Sequence, residues 1–120
     1  MKIMIVDDST AMRMIVRKTL RLAGFEGHDF LETDDGTKAL AAIKASPPDL
    51  VLSDWNMPNM TGIELLEALT TGGIKVKFGF VTTEATPDMR QRATAAGASF
   101  LISKPFTPES FKAALGGHIK

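Results

Sequence analysis

Residues 51–62 read VLSDWNMPNMTG. With Leu50 before it, the run Leu50-Val51-Leu52 has the length and apolar composition of a buried strand. It ends on Asp54 and turns at once through Trp55, Asn56, Met57 and Pro58. A lone carboxylate at the end of a buried strand costs free energy unless a cation or a hydrogen-bond donor meets it there. Asp54 precedes a turn rather than a helix, so helix capping does not account for it.

On either side of this stretch, short apolar runs alternate with longer segments of helical period. Ile3-Met4-Ile5-Val6 is a first strand. Met12, Ile15, Val16, Thr19, Leu20 and Ala23 then recur at three- and four-residue steps, and Gly24 closes that helix. Residues 27–33 mix Phe30 with His28, Asp29 and Glu32, the pattern of an edge strand. Gly36 opens a second helix with Leu40 and Ile43 inward, which Pro47-Pro48 ends. After the strand at Leu50, Ile63, Leu65, Leu66 and Leu69 mark a third helix, and Val76, Phe78, Phe80 and Val81 a fourth strand. Pro87 suits the first turn of a fourth helix with a small inner face, Ala93 and Ala96. Phe100-Leu101-Ile102 is a fifth strand, and Phe111 and Leu115 mark a fifth helix cut short by Gly116-Gly117. Five strand–helix units in strict alternation predict an α/β fold, a parallel sheet with helices on both faces. At 120 residues a single domain, 1–120, is expected.

Composition narrows the function classes. Fourteen basic residues balance fourteen acidic ones, so no general positive field draws the chain to nucleic acid or to an anionic membrane. Arg13, Arg17, Lys18 and Arg21 cluster at helical spacing and read as one solvated helix face. The chain has no cysteine, which excludes disulfides and thiolate metal sites. The apolar run of MKIMIVDD is too short for a signal peptide, so a cytoplasmic location is expected.

In a parallel sheet the carboxyl ends of all strands meet at one rim, where open α/β sheets bind their ligands. Here that rim collects Asp7-Asp8, Asp54, Thr82-Thr83 and Lys104-Pro105. Two carboxylates about 4 Å apart repel by about 4 kcal/mol at an effective dielectric of 20, so protons or a cation must compensate. A cluster of hard oxygens with no His or Cys favours Mg²⁺. With such a cation present, one carboxylate oxygen can serve as nucleophile towards a phosphoryl group, with Lys104 and Thr82 holding its other oxygens. Taken alone, Asp8 before Ser9-Thr10 reads equally well as a helix cap.

Six motifs spread along the chain carry a resemblance. They are IVDDS at 5–9, TAMRMIVRKTL at 10–20, DDG at 34–36, SDWNMPNMTG at 53–62, VTTEA at 81–85 and GASFLISKPF at 97–106. Together they resemble the response-regulator receiver domains of two-component phosphorelay systems, and within them the stand-alone chemotaxis regulators. The resemblance implies a flavodoxin-like, doubly wound five-stranded sheet in the order 2-1-3-4-5 with five helices. It implies that Asp54 accepts a phosphoryl group from the phosphohistidine of a histidine kinase. Asp8, Asp54 and the backbone carbonyl of Asn56 would bind Mg²⁺, with Asp7 assisting through water. Thr82 and Lys104 would hold the phosphoryl oxygens, Lys104-Pro105 would be a cis peptide, and Asn56, Thr83 and Glu84 fall where the family tunes its rate of self-dephosphorylation. Such a chain is a phosphoacceptor that catalyses its own phosphorylation and dephosphorylation rather than an enzyme acting on external substrates. A monomer is expected, with a flagellar motor switch protein and a phosphatase as further candidate partners. With no output domain after residue 120, its signal would pass by noncovalent binding.

The sequence departs from that pattern at three places. Thr82 and the residue at 101 make up the family's switch, but Leu101 stands where members usually carry Tyr or Phe. Phe100 next door should face the other side of the sheet. Thr83 replaces a usual Ala or Gly, and the fifth helix is short. A phosphate-sink receiver without output is therefore one alternative. A haloacid-dehalogenase-like aspartyl phosphatase is another, but it needs an acid-base aspartate two residues after the nucleophile, where this chain has Asn56. A flavin carrier is disfavoured by the two carboxylates of DDSTAMR at 7–13.

Overall fold

The computed structural model describes residues 1–25, 27–57, 59–83, 85–104 and 106–117. Five strands, β1 (Lys2–Val6), β2 (Asp29–Thr33), β3 (Leu50–Ser53), β4 (Lys77–Thr82) and β5 (Phe100–Ser103), alternate with five helices. The helices are α1 (Thr10–Leu22), α2 (Gly36–Ala45), α3 (Gly62–Thr71), α4 (Pro87–Ala96) and α5 (Pro108–Leu115). All pairings are parallel, as the strict alternation predicts, and the order is β2-β1-β3-β4-β5, as the resemblance implies.

Alternation along the strands divides the core in two. Met4, Val6, Val51, Phe78 and Phe80 face α2, α3 and α4, where Ala39, Ile43, Ile63, Leu65, Leu66, Leu69 and Ala93 complete one layer. Ile3, Ile5, Leu50, Leu52, Val81 and Ile102 face α1 and α5, where Val16, Leu20, Phe111 and Leu115 complete the other. Burying each of these larger side chains contributes about 1.5–3 kcal/mol, and the two layers together hold the sheet. β2 is the edge strand its composition predicts, with Asp29, Leu31 and Glu32 exposed. Gly79 is the register partner of Phe100 on β5. A Cβ at position 79 would stand 2.0 Å from the Phe100 ring, so the missing side chain lets that ring lie across β4.

Helix starts follow the polar signals. Ser9 caps α1 by accepting from the Met12 N–H, Thr86 and Pro87 open α4, and Thr107 with Pro108 opens α5. At α3 the cap is reciprocal: Thr61 Oγ1 accepts from the Glu64 N–H while Glu64 Oε1 accepts from the Thr61 N–H. α5 spans only eight residues, ending before Gly116 as expected. Among the described residues no helix is long and apolar enough to cross a membrane.

Arg17, Lys18 and Arg21 are exposed as a solvated face requires, and Arg13 corrects that reading. Arg13 is largely buried: it bonds Glu32 through Nε at 3.0 Å, Thr10 through Nη2, and the Asp7 carbonyl through Nη1. Arg17 pairs with Glu32 at 2.9 Å and lies over the Phe30 ring. Glu32 on the edge strand supplies the acidic partner that helical spacing alone could not reveal.

Candidate functional site

The strand order puts β1 and β3 side by side, with the Asp54 N–H donating to the Val6 carbonyl at 2.9 Å. The first residue past each strand is therefore an aspartate, Asp7 and Asp54, at the same rim. On the other side of β3, β4 ends at Thr82, fully buried. The Lys104 N–H donates to the Thr82 carbonyl at 2.7 Å, which places the lysine at the end of β5 against the same rim.

Asp7, Asp8 and Asp54 each offer a carboxylate oxygen within 4.8 Å of the others. Lys104 Nζ lies 3.4 Å from Asp7 Oδ2 and 3.8 Å from Asp54 Oδ2, and its side chain is 10% exposed. Asp7 is buried and its Oδ1 accepts from the Ser9 N–H at 2.9 Å, which fixes the carboxylate at the mouth of the β1–α1 loop. Asp54 Oδ1 accepts from the Trp55 N–H at 2.8 Å. Asp8 is exposed, and the capping role open to it on sequence is taken by Ser9.

Asp54 has its pKa raised above the ordinary carboxylate value, chiefly by burial, with Asp7 and Asp8 adding to the rise while Lys104 and the Trp55 N–H oppose it. Three carboxylates share one ammonium, so the rim is short of positive charge. Its donor set is hard oxygen only, among the described residues, which fits an oxygen-seeking divalent cation.

The loop after Asp54 is fixed at both ends. Trp55 is buried with its ring 4.8 Å from that of Phe80. The Trp55 carbonyl accepts from the Gly62 N–H at 2.8 Å. A Cβ on Gly62 would stand 2.1 Å from the Asp54 carbonyl oxygen, so glycine is needed where α3 starts against the site. Asn56 is exposed beside the cluster. Thr83 is exposed and lines a cleft of about 340 Å³ with Met12, Ile15, Lys104 and Phe106. Leu101 packs on the α2–α3–α4 side and Phe100 on the α1–α5 side, the opposed facing that alternation predicts. Glu84, and the Lys104–Pro105 bond through Pro105, lie outside the described residues.

Sequence reasoning gathers Asp7, Asp8, Asp54, Thr82 and Lys104 but misses the residues that hold them. Arg13 on the Asp7 carbonyl is one, and Gly62 under Asp54 is another. A third lies in the DDG motif, whose Asp35 accepts a hydrogen bond from Asn59.

The protein-family model for the response regulator receiver domain matches residues 3–116. The chain is 42% identical over 114 residues to the chemotaxis protein CheY of Pseudomonas aeruginosa, covering 93% of this chain and 90% of that one. It is 41% identical over 114 residues to the chemotaxis protein CheY-3 of Vibrio cholerae, covering 93% and 86%. The crystallised CheY4 of Vibrio cholerae superimposes with a TM-score of 0.83 at 35% identity, covering 98% of both chains.

Proposed function

The chain belongs to the response regulator receiver family, and on that premise we propose that it is a stand-alone chemotaxis regulator, one receiver domain that takes a phosphoryl group onto Asp54. The observation that carries this reading is Lys104 Nζ between Asp7 and Asp54, 3.4 and 3.8 Å away, at the ends of three strands. The chemotaxis proteins it resembles at 42% and 41% identity support the biological role. They do not favour either the aspartyl phosphatase or the sink.

The donor is the phosphohistidine of a histidine kinase. An Asp54 carboxylate oxygen attacks phosphorus, the P–N bond breaks, and the imidazole leaves with the electron pair and takes up a proton. Asp54 is suited to this because the Trp55 N–H holds one of its oxygens and Gly62 lets its backbone sit against α3. Lys104 supplies a fixed positive charge for the phosphoryl oxygens and Thr82 a hydroxyl from the adjacent strand end. Asp8, Asp54 and the Asn56 carbonyl would hold Mg²⁺, with Asp7 assisting through water, and the cation would supply neutralising charge for the transferring group. Loss of the phosphoryl group is the same site working on water: the acyl phosphate is cleaved to carboxylate and inorganic phosphate. Asn56 and Thr83, with Glu84 at the family's third rate-tuning position in the sequence, set the rate of that reaction.

Output passes through the side bounded by α4, β5 and α5, where Arg90, Leu101, Ser110 and Ala114 line a groove of about 440 Å³. Leu101, which with Thr82 forms the switch, sits at that groove and beside Phe80 in the β4–β5 register, so its movement would reach both. A flagellar motor switch protein and a phosphatase are the partners of this reading, in the cytoplasm, with the protein a monomer.

The test is intact-protein mass after incubation with acetyl phosphate, in Mg²⁺ and in chelator, for the wild type and Asp54→Asn. One Mg²⁺-dependent phosphoryl adduct, absent from the variant, is expected. A folded wild type that gives no adduct would overturn the reading.

A further inference from the structure

Asp35 uses its two carboxylate oxygens for different purposes. Oδ1 caps α2, accepting from the Thr37 N–H at 2.6 Å, the Lys38 N–H at 3.2 Å and the Thr37 hydroxyl. Oδ2 points away from the helix and accepts from the Asn59 side-chain amide at 2.7 Å. A cap needs only the first oxygen. The second ties α2 to the loop that leaves Asp54.

Four further features show that this tie is built into the loop. Asp35 is 8% exposed while Asn59 is exposed, so their charge-assisted bond is sheltered on the carboxylate side. Its carboxyl is held down to about 2 by the Thr37 hydroxyl and the Asn59 amide. Asn59 is the one non-glycine residue at positive φ among the described residues, at 68°, a conformation that Asn tolerates better than most side chains. Beside it, Gly36 packs so tightly that a Cβ would stand 2.6 Å from the Met60 carbonyl oxygen.

Asn56 lies between two anchors. Upstream, Trp55 is fixed by its ring on Phe80 and by the Gly62 N–H. Downstream, Asn59 is fixed by Asp35. We propose that the Asp35–Asn59 pair is a positioning clamp that holds the Asn56 backbone where the acidic rim needs it, and so sets the affinity of that rim for its divalent cation. The inference rests on the reading of Asp8, Asp54 and the Asn56 carbonyl as the cation site. Mg²⁺ tolerates little departure from octahedral geometry, so a loop free to drift at Asn59 loses affinity even with every ligand residue intact.

The experiment is a Mg²⁺ titration followed by calorimetry and by Trp55 fluorescence. Asp35→Ser keeps an N-cap oxygen and removes the second one. Asn59→Gly keeps the left-handed backbone and removes the amide. Each should weaken Mg²⁺ binding about tenfold, and the double variant should be no weaker than the worse single one. The exchanged pair Asp35→Asn with Asn59→Asp should return to within about twofold of wild type, because donor and acceptor have only traded places. Thermal unfolding in chelator separates affinity from folding. If Asp35→Ser fails to fold, Asn59→Gly and the exchanged pair decide. Wild-type affinity in the single variants, or losses that add in the double, would overturn the clamp alone. A wild type that binds no Mg²⁺ would overturn both the clamp and the cation site beneath it.

Discussion

Lys104 Nζ and Asp7 Oδ2, from residues 97 positions apart in the chain, meet at 3.4 Å with both side chains at most 10% exposed. A buried ammonium paired with Asp7 and Asp54 offsets charge in a cluster that also holds Asp8, and removing it leaves uncompensated negative charge. Lys104→Met should therefore destabilise the fold at neutral pH by about 3–5 kcal/mol. Chemical denaturation in chelator measures this. Adding Mg²⁺ should recover part of the loss, while adduct formation with acetyl phosphate should stay at least about a hundredfold slower than wild type.

Asp54 works in the opposite sense. Its carboxyl is raised in the folded state, mainly by burial, so the folded protein holds the proton more tightly than the unfolded chain does. That favours folding below the ordinary value of 3.8 and is lost as pH rises through the folded-state value. At pH 7 without metal the ionised group weakens the fold. Asp54→Asn should then melt higher than wild type by about 2–4 °C in chelator, a modest gain because Lys104 and the Trp55 N–H already offset part of the cost of burying the charge. The gain should shrink towards zero as pH is lowered to about 3. A variant that melts lower than wild type at pH 7 would show that the strain assigned to Asp54 is absent.

Gly62→Ala tests the packing that seats Asp54. The added methyl group would stand 2.1 Å from the Asp54 carbonyl oxygen and 2.9 Å from the Phe80 ring. The oxygen belongs to the backbone and cannot swing aside, so α3 or the end of β3 must move. A loss of roughly 1–3 kcal/mol is expected by urea denaturation. Because the displaced atom belongs to Asp54, the folded variant should also form its phosphoryl adduct more slowly.

How far the sequence speaks follows from range. The strands and helices were legible because periodicity is local: Phe78 and Phe80 alternate with Gly79, and Val16 and Leu20 recur at helical spacing. The rim was legible because a parallel sheet forces the residues after Val6 and Ser53 to one side. What stayed hidden joins elements that periodicity does not connect. Arg13 looked solvated because its partner Glu32 lies on another element, the edge strand β2. Asp35 stood out only as part of the DDG motif, because the partner of its second oxygen, Asn59, lies 24 residues on. The glycines at 62 and 79 read as helix start and strand interior, and only packing explains why no side chain fits.

Thr83 decides a question of access. It is exposed at the mouth of the cleft formed with Met12, Ile15, Lys104 and Phe106, and it lies next to buried Thr82 at the end of β4. Steric bulk at a mouth should obstruct a large phosphodonor more than a small one. Thr83→Ala should leave stability within about 0.5 kcal/mol of wild type, since an exposed strand-end residue loses few contacts. Transfer from a phosphohistidine-bearing kinase domain should then quicken roughly threefold, about 0.6 kcal/mol in the barrier, while transfer from acetyl phosphate changes less than about twofold. Rapid mixing with Trp55 fluorescence as the signal reads both rates. Equal acceleration with the two donors would place the effect of Thr83 on the chemistry at Asp54 instead of on entry to it, and no acceleration with either would leave Thr83 a bystander at the rim.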